Sequence, residues 1–439
     1  VVPLCDVLEA DRIALWTDKI NLKRPREGSG FRWHQDSPYW SHVCGHCDRL
    51  PNVMITLDDA LGAYAQAVSP LPAQATPLAQ ALGRVLAAAP VATTDLPMFT
   101  QSAVDGYALR SADLASARSG SPVTLALIGE VAAGAGELPD IGPGQAARIF
   151  TGGRLPPGAD AVARQEIVTR DAHRIVLEAA LSPGEDTRFR GEELRAGTAL
   201  ATPGTRLTPG GVAALAMAGI GEVHCHRAPR LALLVTGDEV VPPGGAIAAG
   251  QIFDANGPLL HAWFQARGGA VPQVRYVADT LDAVTAALGA ALAEADLVIT
   301  TGGVSVGDKD FLRAAATALG VTERFWRVAQ KPGMPLYFGQ RGDPRRDPRD
   351  GPFILGLPGN PGAVLVGLQV HAARVLALME GETPPGPHWH HAPLAEDFRG
   401  DTRRDLLARM RLAVDADGQA RLQPLGRQGS HMLSNLIEA

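Results

Sequence analysis

Three short apolar runs, each ending in a glycine-rich turn, restrict this chain more than any other feature of it. Arg230–Val235 runs into Thr236-Gly237-Asp238-Glu239, Asp296–Thr300 into Thr301-Gly302-Gly303-Val304-Ser305-Val306-Gly307-Asp308, and Phe353–Leu357 into Pro358-Gly359-Asn360-Pro361. Helical patterns near 257–267, 281–293, 310–319 and 361–379 follow or intervene. Short, uninterrupted apolar strands alternating with helices imply a parallel sheet covered on both faces. Open α/β sheets bind ligands at the carboxyl ends of their strands, which is where all three turns fall.

Glycines let backbone N–H groups come close to an anion, and a following helix adds the positive end of its dipole. In the second turn Gly302, Gly303 and Gly307 offer such groups, and Ser305 adds a hydroxyl. In the third, Pro358 and Gly359 precede Asn360, a candidate cap for a helix with Pro361 as its first residue. A single turn of this kind needs no ligand; three at one edge favour binding. No G-x-x-x-x-G-K-[ST] loop occurs, so a Walker site is excluded. Asp238 and Asp308 stand beside these turns. Carboxylates next to a phosphate site imply Mg²⁺, which takes one or two of them plus phosphate oxygens. After residue 55 nearly every basic position is Arg, yet Lys331 stands in Gln330-Lys-Pro-Gly-Met-Pro335. An ammonium is a compact point charge, unlike a planar guanidinium. Asp105, before a glycine in Ser102–Ala108, reads by itself as an Asx turn.

The net charge of −6 leaves no electrostatic footprint for nucleic acid. Four Cys make no disulfide framework, and no 18-residue window is wholly apolar. No membrane span and a cytoplasmic setting are therefore expected. Composition breaks near residue 55: Cys5, Cys44 and Cys47 precede it, and only Lys309 and Lys331 follow it among the lysines. Two joined sequences are expected, with residues 1–55 an appendage. Elsewhere, a helix should start at Thr56 or Asp58, another cover 77–88, and a third open at Thr208-Pro209. Residues 121–180 and 392–425 alternate as strands, and 341–351 form a polar loop.

The run Trp33-His34-Gln-Asp36-Ser-Pro-Tyr-Trp40, followed by Cys47–Ala60, resembles the phytanoyl-CoA dioxygenase family. That resemblance implies an Fe(II) pair at His34 and Asp36. The rest of such a barrel has no counterpart in the sequence, so functional iron is not expected. Cys44 and Cys47 supply one pair where a structural zinc needs two.

From about residue 56 a second resemblance takes over. "DLPMFTQSAVDGYALRSADL", "RIFTGGRLPPGADAVARQE", "RFRGEELRAG", "LLVTGDEVVPPG", "IFDANG", "VITTGGVSVGDKDF", "KPGMPLYFG" and "GLPGNPGAVLVGLQVHAARVL" are similar, in order, to the molybdopterin molybdenumtransferase family, which includes the gephyrin E domain. The resemblance implies a multidomain α/β protein. Its parts would be a helical linker domain (56–98 and 185–228), a β subdomain (99–184), an α/β molybdopterin-binding domain (229–380) and a shortened C-terminal β domain (381–439). It implies an enzyme that takes adenylated molybdopterin and molybdate, uses Mg²⁺, releases AMP and works as a homodimer, with a molybdopterin adenylyltransferase as a further partner. A binding or scaffolding module without turnover is the alternative. Carried over by motif, Asp105, Glu192, Asp238 and Lys331 are catalytic, with Asp105 facing a partner subunit's cleft. Thr151 lines that cleft; Ser305 touches phosphate or molybdate; Asp238 and Asp308 hold the metal. Val104, Met334 and Gly362-Ala363 depart from the family pattern, where Met, a second Lys and Val-Ser are usual.

Overall fold

The computed structural model describes residues 54–268, 271–305, 310–342, 351–414 and 417–437. The expectations for His34, Asp36, Cys44, Cys47, Gly307, Asp308 and most of the 341–351 loop lie outside the described residues. The chain forms two compact units. One holds the described residues up to Ala73, Gly83–Val85 and those from His226 onward; the other holds Gln74–Leu82 and Leu86–Cys225.

The first unit is built on a six-stranded sheet. Its elements are α1 (Leu57–Ala67), β1 (Leu231–Thr236), α2 (Asn256–Ala266), β2 (Val274–Val277), α3 (Leu281–Glu294), β3 (Leu297–Thr301), α4 (Leu312–Ala318), β4 (Val321–Trp326), β5 (Tyr337–Arg341), β6 (Phe353–Leu357) and α5 (Pro361–Met379). The strand order is β2-β1-β3-β6-β5-β4. The first four strands are parallel; β5 pairs antiparallel with both β6 and β4, so it alone runs against the rest. The sheet is thus mixed rather than purely parallel. Register explains the apolar runs. Leu233, Ile299 and Leu355 lie side by side and face one core, while Ala232, Val298 and Ile354 face the other. Each such Val, Leu or Ile side chain contributes about 1.5–3 kcal/mol by burial.

Helix α1 starts in a capping box: the Asp59 N–H donates to Thr56 Oγ1 (3.0 Å), and the Thr56 N–H donates to the Asp59 carboxylate (3.3 Å). Its Leu57, Ala60 and Tyr64 join the core over β1, β3 and β6. Ile55, just before it, is also buried and bridges Val328. Helix α5 contains a π-helical turn, Gly367–Ala372, between α-helical Pro361–Val366 and Ala373–Met379. It is long and apolar enough to cross a membrane, but it is mostly buried here, as the core helix of a globular unit would be.

In the second unit a six-stranded sheet runs in the order Ala161–Arg164, Gly106–Leu109, Gln145–Ile149, Val123–Val131, Arg174–Leu177, Thr169–Arg170. Leu109, Leu125 and Ile175 fill one face, Val131 and Ile149 the other. Beyond this sheet the unit is mostly turns and single bridges, such as Leu96 with Leu194. The helix expected over 77–88 is a 3-10 turn, Leu78–Gln80, followed by Gly83 at φ +73°. That left-handed residue ends helical winding, and Leu78, Ala81 and Leu86 reach their core without it. Helix Pro209–Met217 does form, capped by Thr208 Oγ1, which accepts from Gly211 N–H at 3.1 Å. The expected helical linker therefore has one α-helix in this unit, and α1 packs in the other.

Candidate functional site

The three glycine turns meet at the carboxyl edge of the first unit's sheet. Gly302 has φ +86°, and a Cβ there would lie 2.6 Å from Thr236 Oγ1 and 3.0 Å from the Thr236 carbonyl oxygen. Only glycine lets the ends of β1 and β3 approach so closely. The Gly302 N–H donates to the Leu357 carbonyl (3.0 Å), tying this turn to the end of β6. Asn256 Nδ2 donates to the Gly359 carbonyl (2.8 Å). Asn256 is set in turn by buried Asp254, which accepts the N–H groups of Asn256 and Gly257 and the Tyr276 hydroxyl. Burial, together with Asp254, pushes the Tyr276 phenol up to about 12. The Thr300 and Thr301 hydroxyls and Asn256 Oδ1 are buried here with no hydrogen-bond partner. Polar atoms left unpaired at a sheet edge suit a polar ligand.

A cleft of about 360 Å³ opens above the second and third of these turns. Gly303, Ser305, Pro358, Gly359 and Asn360 form one side of it, and the Lys331–Pro335 turn another. Gly302 sits beneath, beside a smaller cavity shared with Thr236, Gly303 and Asp279. Asn360 caps α5 with its backbone alone, leaving its side chain out of the cap, while Pro361 occupies the first turn. Lys331 is exposed at the rim, and Met334 lines the same turn.

The remaining wall comes from the C-terminal segment, through Arg404, Gln428, Gly429 and Ser430, none of which the sequence reading singled out. Strand Asp405–Leu406 pairs in parallel with Gln330–Lys331, bringing this segment to the lysine turn. Arg409 Nη2 donates to the carbonyls of Arg427 and Gly429 (2.8 and 3.1 Å), and Gln428 Nε2 donates to the Arg409 carbonyl (2.8 Å). The Ser430 carbonyl then accepts the Gly362 N–H (2.7 Å) at the start of α5. The only sequence signal for this wall was the polar run Arg427–His431, which has no periodicity to read.

Asp238 is exposed and paired with Asp279: the Asp279 N–H donates to Asp238 Oδ1 (3.0 Å), and the Asp238 N–H donates to Asp279 Oδ2 (3.4 Å). Among the described residues no three His, Cys, Asp or Glu side chains gather as a metal cage. A Mg²⁺ ion shared with a substrate phosphate needs only one or two protein carboxylates, and Asp238 and Asp279 are carboxylates at this edge.

In the second unit, Thr151 donates to Asp105 Oδ1 through both its N–H and its hydroxyl, each at 2.8 Å. These bonds, with Arg148 adding charge, hold the Asp105 carboxyl below the usual carboxylate range. Glu192 is instead engaged locally, accepting the Phe189 N–H at 2.6 Å. Its turn follows Thr187–Arg188, the strand paired with Gln101–Ser102 just before Asp105.

The chain is similar to known proteins over most of its length. Residues 55–219 match the family described as MoeA N-terminal region (domain I and II), 232–377 the probable molybdopterin binding domain, and 391–439 the MoeA C-terminal region (domain IV). Residues 4–62 match phytanoyl-CoA dioxygenase. A molybdopterin molybdenumtransferase from Haemophilus influenzae is 32% identical over 390 residues, 88% of this chain and 93% of that one. One from Nostoc sp. is 37% identical over 284 residues, 65% of this chain and 64% of the Nostoc protein. The crystal structure of a molybdopterin biosynthesis moeA protein from Pyrococcus horikoshii superposes with a TM-score of 0.71 at 27% identity, covering 88% of this chain and 93% of that one.

Proposed function

The chain belongs to the molybdopterin molybdenumtransferase family, and from that premise we propose that its cleft transfers molybdenum from molybdate to adenylated molybdopterin with release of AMP. It is a transferase of molybdenum-cofactor biosynthesis. The observation that carries the finer reading is the meeting of the Gly302–Ser305 turn, the Pro358–Asn360 turn and Lys331 around one cleft. Backbone N–H groups and the Ser305 hydroxyl cradle phosphate; the Lys331 ammonium and Arg404 guanidinium attract the oxyanion. Asp238, with Asp279, would hold Mg²⁺, which supplies charge neutralisation at the phosphoanhydride; Asp308 remains a second candidate ligand. Asp105, held ionised by Thr151, and Glu192 act in this reading from a second copy of the chain in a homodimer. The setting is cytoplasmic, and the adenylated substrate comes from a molybdopterin adenylyltransferase.

The test is a reaction of the purified chain with adenylated molybdopterin, molybdate and Mg²⁺, following AMP and metal-loaded product. Stoichiometric AMP and product support the assignment. Tight binding of adenylated molybdopterin with no AMP released would replace it with a binding or scaffolding role.

A further inference from the structure

The Lys331 turn is held from behind by a buried chain of three side chains. The Tyr64 hydroxyl lies 3.0 Å from His371 Nδ1, His371 Nε2 lies 2.8 Å from Gln330 Oε1, and Gln330 Nε2 donates to the Gly333 carbonyl at 3.0 Å. All three side chains are fully buried. They come from α1, from the π-helical turn of α5 and from the residue preceding Lys331.

The direction of each bond follows from its neighbour. A carbonyl only accepts, so the Gln330 amide nitrogen must face Gly333 and its oxygen must face His371. His371 therefore carries its proton on Nε2, and Nδ1 accepts from the Tyr64 hydroxyl. The alternative amide orientation sets two oxygens against each other. Every donor and acceptor is then satisfied only by a neutral imidazole. Burial agrees, pushing His371 down to about 3. Tyr64 is clamped by an edge-on contact with Phe338, ring centroids 4.7 Å apart.

The far end of the chain shapes the turn. Gly333 has φ +89°, and a Cβ there would lie 2.9 Å from Gln330 Nε2. The amide thus lies directly under the turn, while the Val328 N–H donates to the Met334 carbonyl (2.9 Å) and closes the loop. A fully satisfied buried network specifies one arrangement where apolar packing tolerates several. We infer that Tyr64, His371 and Gln330 are positioning residues that fix the Lys331–Pro335 turn, and through it the ammonium that receives molybdate. The inference rests on the role proposed above for Lys331.

His371→Phe keeps an aromatic ring of similar size but leaves the Tyr64 hydroxyl and Gln330 Oε1 without partners. In the full chain it should raise the molybdate KM about tenfold while kcat changes less than about threefold. His371→Gln, which keeps one donor and one acceptor, should recover most of that loss. In a Lys331→Met background His371→Phe should add nothing, because the two act through one contact. A folded His371→Phe with an unchanged molybdate KM, or a loss that adds fully to Lys331→Met, overturns the inference. If His371→Phe does not fold, Tyr64→Phe removes one hydroxyl only; a KM raised about threefold supports the relay and an unchanged one overturns it. Lys331→Met separates the two failures. An unchanged molybdate KM there removes Lys331 from the site and the relay's purpose with it. A raised KM there, without one in His371→Phe, removes the relay alone. Nitrogen NMR gives an activity-free check: His371 should be neutral with its proton on Nε2 from about pH 5 to 8, and the Nδ1–H tautomer would overturn the assignment.

Discussion

Gly362 and Arg409 meet at the start of α5 so closely that a Cβ on Gly362 would lie 2.6 Å from Arg409 Nη1 and 2.7 Å from the Ser430 carbonyl oxygen. The absent side chain is what admits the C-terminal wall of the cleft. Gly362→Ser should force that wall outward, costing about 1–3 kcal/mol and raising the KM for molybdate. Thermal melting and steady-state kinetics measure both. An unshifted melting temperature with unchanged KM would mean that the segment seats itself without this contact.

Asp238→Asn should leave the fold intact, since an amide oxygen can still accept the Asp279 N–H at this exposed strand end. Losing a charged ligand should raise the Mg²⁺ concentration for half-maximal AMP release about tenfold or more. A Mg²⁺ titration of AMP release decides it. Unchanged dependence would move the metal to Glu239 or Asp308.

Lys331→Arg keeps the charge yet should lower activity. The longer, planar guanidinium cannot occupy the place of a point donor on a turn pinned at Gly333 and Met334. A misplacement of about 1 Å can cost about 10²-fold in rate. Steady-state assay across a range of molybdate concentrations is the measurement; a loss that higher molybdate relieves fits the oxyanion role, and equal rates at every concentration would take Lys331 out of the site.

Asp296, just before β3, accepts Arg227 Nη1 (2.6 Å) and Nη2 (2.8 Å) and the Arg230 N–H (2.8 Å). Burial alone would raise its carboxyl, but the Arg227 and Arg230 guanidiniums outweigh it and hold the group well below the usual carboxylate range. A folded-state value below the unfolded one gives stability that is complete above the ordinary value of about 3.9 and lost as pH falls below it. Asp296→Asn should cost about 2 kcal/mol at neutral pH. In urea unfolding the difference from wild type should hold steady above about pH 5 and shrink below about pH 4. A difference that grows on acidification would contradict this.

Removal of residues 1–53 should leave stability and molybdenum transfer intact, given the change in composition near residue 55. Removal through Thr56 should not, because Ile55 accepts the Ala329 N–H (2.7 Å) and donates to the Arg327 carbonyl (3.2 Å), and Thr56 caps α1. Melting curves of the two truncations compare them. Equal curves would put the boundary later than the capping box.

Much of the α/β unit was legible because its determinants are local. The apolar strands β1, β3 and β6, the Thr208 cap and Pro361 at the start of α5 each announce themselves over a few residues. Strands β2, β4 and β5 went unread: Val274–Val277 is short and half exposed, Val321–Trp326 is interrupted by Thr322, Glu323 and Arg324, and Tyr337–Arg341 ends in polar residues. Leu78–Leu86 looked helical because apolar content outvoted Gly83. The site divides in the same way. The glycine turns carry their signal in φ and close approach. Gln330 and His371 meet across 41 residues, and Arg404 and Ser430 reach the cleft only through tertiary pairing.

The π-helical turn in α5 sets a phase. An α-helix advances about 100° per residue, so one residue added within a turn rotates everything beyond it by that angle relative to everything before. Pro361–Val366 is pinned by the cleft and Ala373–Met379 by the core under α1. The extra residue in Gly367–Ala372 reconciles these two anchors and aims His371 at Gln330. Deleting one residue from that stretch would restore the α-helical phase, and would have to unseat either the cleft edge or the hydrophobic interior to do so.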